Sequence, residues 1–136
     1  MQKGNKRTKP RGSGKRRAVI VCKNYGKLIR DGIPDELTAK GLSVRTKTVR
    51  GRRHVDSLVL KLTEEADELK GAIRAGKPKR GDIVGEMGDL SQVLRDLAHV
   101  LGIPWREVKL ARRAKFKRRG GFAGGTFLLS VGTPKK

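Results

Sequence analysis

LVLKLTEEADELKGAIRAGKPKRGDIVGEMGDLSQVLRDLAHVL, residues 58–101, decides how the rest of the chain is read. Leu58, Leu62, Ala66, Leu69 and Ile73 recur at steps of three and four, the period of one helix face. That period predicts a helix from about Val55 to Ala75. GKPKRG (76–81) is turn chemistry. Ile83, Met87, Leu90, Leu94, Leu97 and Leu101 then mark a second amphipathic helix of about five turns. Two long helices joined by a short polar turn form an antiparallel hairpin. One hairpin has too little surface for a core of its own. The expected fold is therefore all-α, the hairpin completing a four-helix-type bundle on oligomerisation or with its flanking helices.

Outward from the hairpin, Pro34 opens a short helix to about Lys40, with Gly41 as its stop. LSVRTKTV (42–49) alternates and is rich in Val and Thr, which allows a short strand near 44–49; a second is allowed near 125–130. Gly102 terminates the second long helix, and Pro104 opens a third, PWREVKLARRAKF, which runs into the glycine-rich KRRGGFAGGTFLL. There is no internal repeat of solenoid length. A chain of 136 residues supports one domain, expected over 18–131, between a basic arm (1–17) and a basic tail (132–136).

The formal charge is +21, with 34 Lys and Arg against 13 Asp and Glu, so polyanions are the natural partners. Residues 1–17, MQKGNKRTKPRGSGKRR, hold eight cations and no acid, and lack the apolar residues needed to fold. As a disordered arm they serve either as a nonspecific nucleic-acid tether or as a solubilising tail. No run is long and apolar enough to span a membrane, and the basic start lacks a secretory apolar stretch. A single cysteine, Cys22, fits a reducing cytoplasm and reads as a small packed side chain in AVIVC (18–22). His54 and His99 lack a ligand partner and read as structural or exposed; Trp105 reads as a staple at a helix start.

In so basic a chain the placement of the acids needs a reason. Nine of the thirteen fall between Asp56 and Asp96: Asp56, Glu64, Glu65, Asp67, Glu68, Asp82, Glu86, Asp89 and Asp96. At about 100° per residue, Glu65 lies near −20° from Leu58 and Glu68 near −80°, at the edge of the apolar stripe. On the second helix Glu86 lies near −60° from Ile83, inside a stripe widened by Val93 and Val100, with Asp89 beyond it. Glu65/Glu68 and Glu86/Asp89 are thus i, i+3 pairs that a hairpin brings face to face. Two like charges 4 Å apart repel by about 4 kcal/mol at an effective dielectric of 20. Either the pairs point separately into water, or a hard divalent cation sits among them, and oxygen ligands suit Mg²⁺ or Mn²⁺. Gly85 and Gly88 flank Glu86 at a cost of about 1 kcal/mol each in helix propensity, which favours close approach of backbone or ligand there.

EEADE (64–68) followed by EMGD (86–89) resembles the EExxE…ExxD signature of the MazG-like, all-α NTP pyrophosphohydrolases. KLIRDGIP (27–34) is similar to the KLVRDKIP-type segment of the branch related to phosphoribosyl-ATP pyrophosphohydrolase. DLSQVLRDLAHVLGIPWREV (89–108) and RRGGFAGGTFLL (118–129) resemble that branch's later segments, so the likeness covers about residues 24–130. It implies hydrolysis of a (d)NTP or related nucleotide to the monophosphate and pyrophosphate, by a homodimer or larger assembly. It also implies Glu65, Glu68, Glu86 and Asp89 as Mg²⁺ ligands, with Glu64 supporting the site or orienting water. Lys27, Arg30, Lys115, Arg118 and Arg119, with Gly120 and Gly121, are candidate phosphate-binding residues, each with a solvated surface charge as its plain alternative. The chain departs from the family in its basicity and in Gly32, where that segment often carries Lys. The third long helix, with Arg106, Lys109, Arg112, Arg113, Lys115 and Lys117, is cationic nearly all round. These departures leave the substrate open. The alternative function is a non-catalytic nucleic-acid-binding protein that uses the arm and this helix.

Overall fold

The computed structural model describes residues 23–132. The arm (1–17), AVIVC with Cys22, and the tail beyond residue 132 lie outside that range. Four helices follow in order: α1 (Ile33–Ala39), α2 (Arg52–Arg74), α3 (Arg80–Val100) and α4 (Trp105–Arg119). The protein is all-helical, as its hydrophobic period predicts. No strand forms among the described residues, so the short strands allowed near 44–49 and 125–130 are absent. A single extended run has no ladder without a second run beside it, and here neither finds one.

The helix ends follow from local chemistry. Pro34 sits in the first turn of α1, where its missing N–H costs nothing. At the end of α3, Gly102 takes φ +70°. That conformation lets Gly102 N–H reach His99 O at 3.0 Å and Ile103 N–H reach Ala98 O at 2.8 Å. This pair of bonds satisfies carbonyls the helix leaves open, and it brings Ile103 over Ala98. Gly41 ends α1 with the same two bonds, to Thr38 and Leu37. Both glycine stops fall where the sequence places them. α2 begins three residues before Val55, where no side-chain cap defines its start, and α4 runs past Phe116 to Arg119, where Gly120 at φ +74° ends it.

α2 and α3 pack against each other as an antiparallel hairpin, and α4 packs on α3 alone. Among the described residues the buried apolar side chains are Leu58, Val93 and Ala98. The buried face differs from the stripe read off the sequence. On α3, Val93 is buried while Met87, Leu94 and, just past the helix end, Leu101 stay about half exposed. On α2, Leu58 and Glu65 are buried while Ile73 is half exposed and Ala66 is exposed. Both helices are turned towards their acid-bearing edges. One partner helix covers only part of a wide apolar arc, so the Met87–Leu94–Leu101 side of α3 faces out. Within one chain the arrangement is a hairpin with two satellites, not a four-helix bundle.

Candidate metal centre

The rotation of α2 and α3 towards their acidic edges sets Glu65, on the middle of α2, against Glu86 on α3. Carboxylate oxygens of Glu65, Glu68 and Glu86 lie within 4.8 Å of one another. Glu65 is 4% exposed, the one buried charged residue among those described. One of its oxygens takes a 2.6 Å ion pair from Lys61. Its other oxygen, Oε2, is buried without a hydrogen-bond partner, and so is Oε2 of the half-buried Glu86. Buried carboxylate oxygens are costly to leave unpaired. Burial of that oxygen, followed by the charges of Glu68, Glu65, Asp89 and Asp82, pushes the Glu86 carboxyl above its ordinary range.

Three converging carboxylates, two of them with a buried oxygen left unpaired, fit a hard divalent cation. Oxygens bound to one Mg²⁺ at about 2.1 Å stand at most about 4.2 Å apart, so a small closure of the three side chains brings them within range. The donor set is all oxygen, as Mg²⁺ and Mn²⁺ prefer.

Asp89, the fourth expected ligand, is held outside this trio by Arg30 in an ion pair. Glu64 likewise turns outward, to Lys27 at 2.7 Å and Lys61 at 3.2 Å. The bond from Lys27, aided by Lys61 and opposed by burial, holds the Glu64 carboxyl below its usual range. Residues 23–32 thus tie to both helices of the hairpin, Lys27 to α2 and Arg30 to α3, with Leu28 and Ile29 half-buried between. Two of the predicted phosphate-binding cations stand at the acidic edge. The others, Lys115, Arg118, Arg119, Gly120 and Gly121, sit exposed at the end of α4, which makes no packing contact with α2.

Lys61 is the residue the sequence reading passed over. Its side chain is 18% exposed and bridges Glu64 and Glu65. Burial lowers its pKa, but the bonds to Glu65 and Glu64 outweigh that and raise it, so it stays charged. The signal was present in the i, i+3 and i, i+4 spacing of Lys61 to the two acids. Trp105 stacks beneath Arg95 of α3, 5.4 Å from guanidinium to ring, in keeping with a staple at the start of α4.

The raised Glu86 carboxyl sets a pH dependence. A folded-state pKa above the unfolded value contributes stability that is present below the ordinary carboxylate range and is lost as pH rises through the folded value. Glu64 acts in the opposite sense: its contribution is present above the ordinary range and is lost as pH falls through its lowered value. Without a divalent ion, Glu86→Gln is therefore expected to raise the melting temperature near neutral pH and to flatten its fall above the ordinary carboxylate range. The same variant should cancel any Mg²⁺-induced rise. Thermal melts across pH with and without Mg²⁺ check both, and a lower metal-free melting temperature in Glu86→Gln would show that the repulsion is absent.

No family model, curated protein or solved structure matches the chain. Among the described residues no helix is long and apolar enough to cross a membrane.

Proposed function

We propose that the protein is a divalent-cation-dependent nucleotide pyrophosphohydrolase, a hydrolase acting on phosphoanhydrides. More particularly, it would act in the manner of the MazG-like enzymes its acidic spacing resembles, converting a (d)NTP or related nucleotide to the monophosphate and pyrophosphate. One observation carries this reading: Glu65, Glu68 and Glu86 converge, and Glu65 and Glu86 each keep a buried oxygen without a hydrogen-bond partner. An acidic helix face that simply met water would leave neither.

The residues divide the work by what they touch. Glu65, Glu68 and Glu86 would hold Mg²⁺ or Mn²⁺, with Asp89, here paired with Arg30, as the fourth candidate ligand. The ion, when bound, neutralises anhydride oxygens and acidifies water. Glu64, kept ionised by Lys27 and Lys61, would support the site from its edge or orient the attacking water, whose proton passes to solvent. The new bond joins that oxygen to the phosphorus nearest the sugar; the bond from that phosphorus to the bridging oxygen breaks, and pyrophosphate leaves. Lys27 and Arg30, paired at the acidic edge with Glu64 and Asp89, would donate to phosphate oxygens and offset the charge that builds up in transfer. Lys115, Arg118, Arg119 and the backbone of Gly120–Gly121 form the second candidate phosphate-binding group. The test is a panel of ribo- and deoxyribonucleoside triphosphates incubated with Mg²⁺ while pyrophosphate is measured. Absence of release across the panel would leave the non-catalytic nucleic-acid-binding alternative.

The assembly is a homodimer or larger on this reading. Val84, Met87 and Leu94 on α3, Leu101 just past its end, and Ile73 on α2 are 42–56% exposed. An isolated monomer seldom leaves so long an apolar row in water. Sedimentation at micromolar concentration should report a dimer or tetramer, shifted to monomer by Met87→Glu with Leu94→Glu. A monomeric wild-type protein would remove this part of the proposal.

A further inference from the structure

Helix α4 carries eight Lys and Arg and one acid, Glu107. Taking Phe116 as zero and about 100° per residue, Lys109, Arg112, Arg113, Arg119, Arg106, Lys115 and Lys117 all fall within about 100° of it, and Glu107 lies opposite. The cations therefore ring an aromatic side chain. Phe116 is 63% exposed. It is also held in place: Gly120, at φ +74°, donates to Phe116 O at 2.8 Å and turns Gly121 back against the ring. A Cβ at Gly121 would stand 3.1 Å from ring atom Cε2, so the backbone supports one side of the ring closely. On the open side a depression of about 440 Å³ is lined by Arg112, Arg113, Phe116 and Lys117.

None of the eight cations pairs with a carboxylate among the described residues, whereas five of the sixteen described Lys and Arg outside α4 do: Lys27, Arg30, Arg52, Lys61 and Lys70. Uncompensated cations around a supported, exposed ring match a ligand that carries phosphates and a free π-face together. We propose that this face of α4 binds single-stranded nucleic acid, with one base stacked on Phe116 and the flanking phosphates on Arg112, Arg113, Lys109 and Lys117. A duplex offers the phosphates but keeps its base faces stacked inside, so it leaves the ring unused. A lone nucleotide offers the base but too few phosphates for so wide a cationic arc. This surface is separate from the acidic cluster and stands whether or not the chain hydrolyses nucleotides.

The experiment titrates the full chain into fluorescein-labelled dT and rU oligomers and a duplex of equal length, by anisotropy over a range of salt. Single strands are expected to bind more tightly than the duplex. Phe116→Ala should weaken single-strand binding tenfold or more with its salt slope unchanged, because stacking releases no counterions. Phe116→Trp should restore it. Arg112→Ala with Arg113→Ala should weaken binding and reduce the slope by about 1.4, roughly 0.7 per lost phosphate contact. Exposed positions on α4 leave the hairpin intact, which circular dichroism of each variant verifies. Equal affinity for duplex and single strand, or affinity unchanged by Phe116→Ala, would overturn the proposal.

Discussion

Glu68→Ala should abolish Mg²⁺-dependent pyrophosphate release while the protein stays folded. Glu68 is the exposed member of the Glu65–Glu68–Glu86 trio, so its removal opens no cavity. It also takes one negative charge away from Glu86, which that charge helps push above its ordinary range. Stability should hold or rise slightly, within about 0.5 kcal/mol, as for other exposed substitutions. Activity should not hold. With two carboxylates left from that trio, a divalent ion loses a ligand and its fixed position against the anhydride. A fall of at least about 100-fold in kcat/KM is expected, about 2.7 kcal/mol of lost transition-state stabilisation. Asp89→Ala should fall as well if Arg30 hands Asp89 to the ion. Arg30→Ala then separates the two parts of that exchange: it frees Asp89 for the ion but removes a phosphate donor, so KM should rise more than kcat falls. A Glu68→Ala protein as active as its parent would end the metal reading outright.

Leu58→Ala should be the most damaging apolar truncation. Leu58 is 3% exposed and is one of three buried apolar side chains among the described residues. Leu-to-Ala changes in cores cost about 2–5 kcal/mol, more where the surroundings cannot close in. Two helices with few buried neighbours to share the strain have little else to hold them. A domain of this size has about 5–15 kcal/mol to lose, so a large fraction of its stability goes. Denaturant melts should show an earlier midpoint. Leu60→Ala is the control: Leu60 is 73% exposed and points away from α3. Its truncation should stay within about 0.5 kcal/mol. Equal losses at the two positions would mean that α2 buries its back as well as its front.

The backbone plan was legible from residues alone. Three- and four-residue apolar steps mark α2 and α3, Pro34 and Pro104 mark helix starts, and Gly41 and Gly102 mark ends, because each is a local preference of the chain. The acidic pairs were legible for the same reason: i, i+3 spacing on a helix places two side chains on one face wherever that helix goes. Lys61 was equally local, at i+3 and i+4 from Glu64 and Glu65.

The tertiary structure alone decided which part of each wide apolar arc is buried, since a helical wheel shows a stripe but not the rotation at which a partner meets it. The packing chose the acidic edges, hiding Glu65 and one oxygen of Glu86 while leaving Met87, Leu94 and Leu101 outside. It also decided that Asp89 goes to Arg30 and Glu64 to Lys27, pairings that join residues 59 and 37 positions apart. No local rule reaches across such separations, because the folded path of residues 23–32 is what brings those charges within range. The alternating run at 42–49 shows the same limit from the other side: among the described residues its local preference for a strand finds no neighbour to pair with, and so it goes unused.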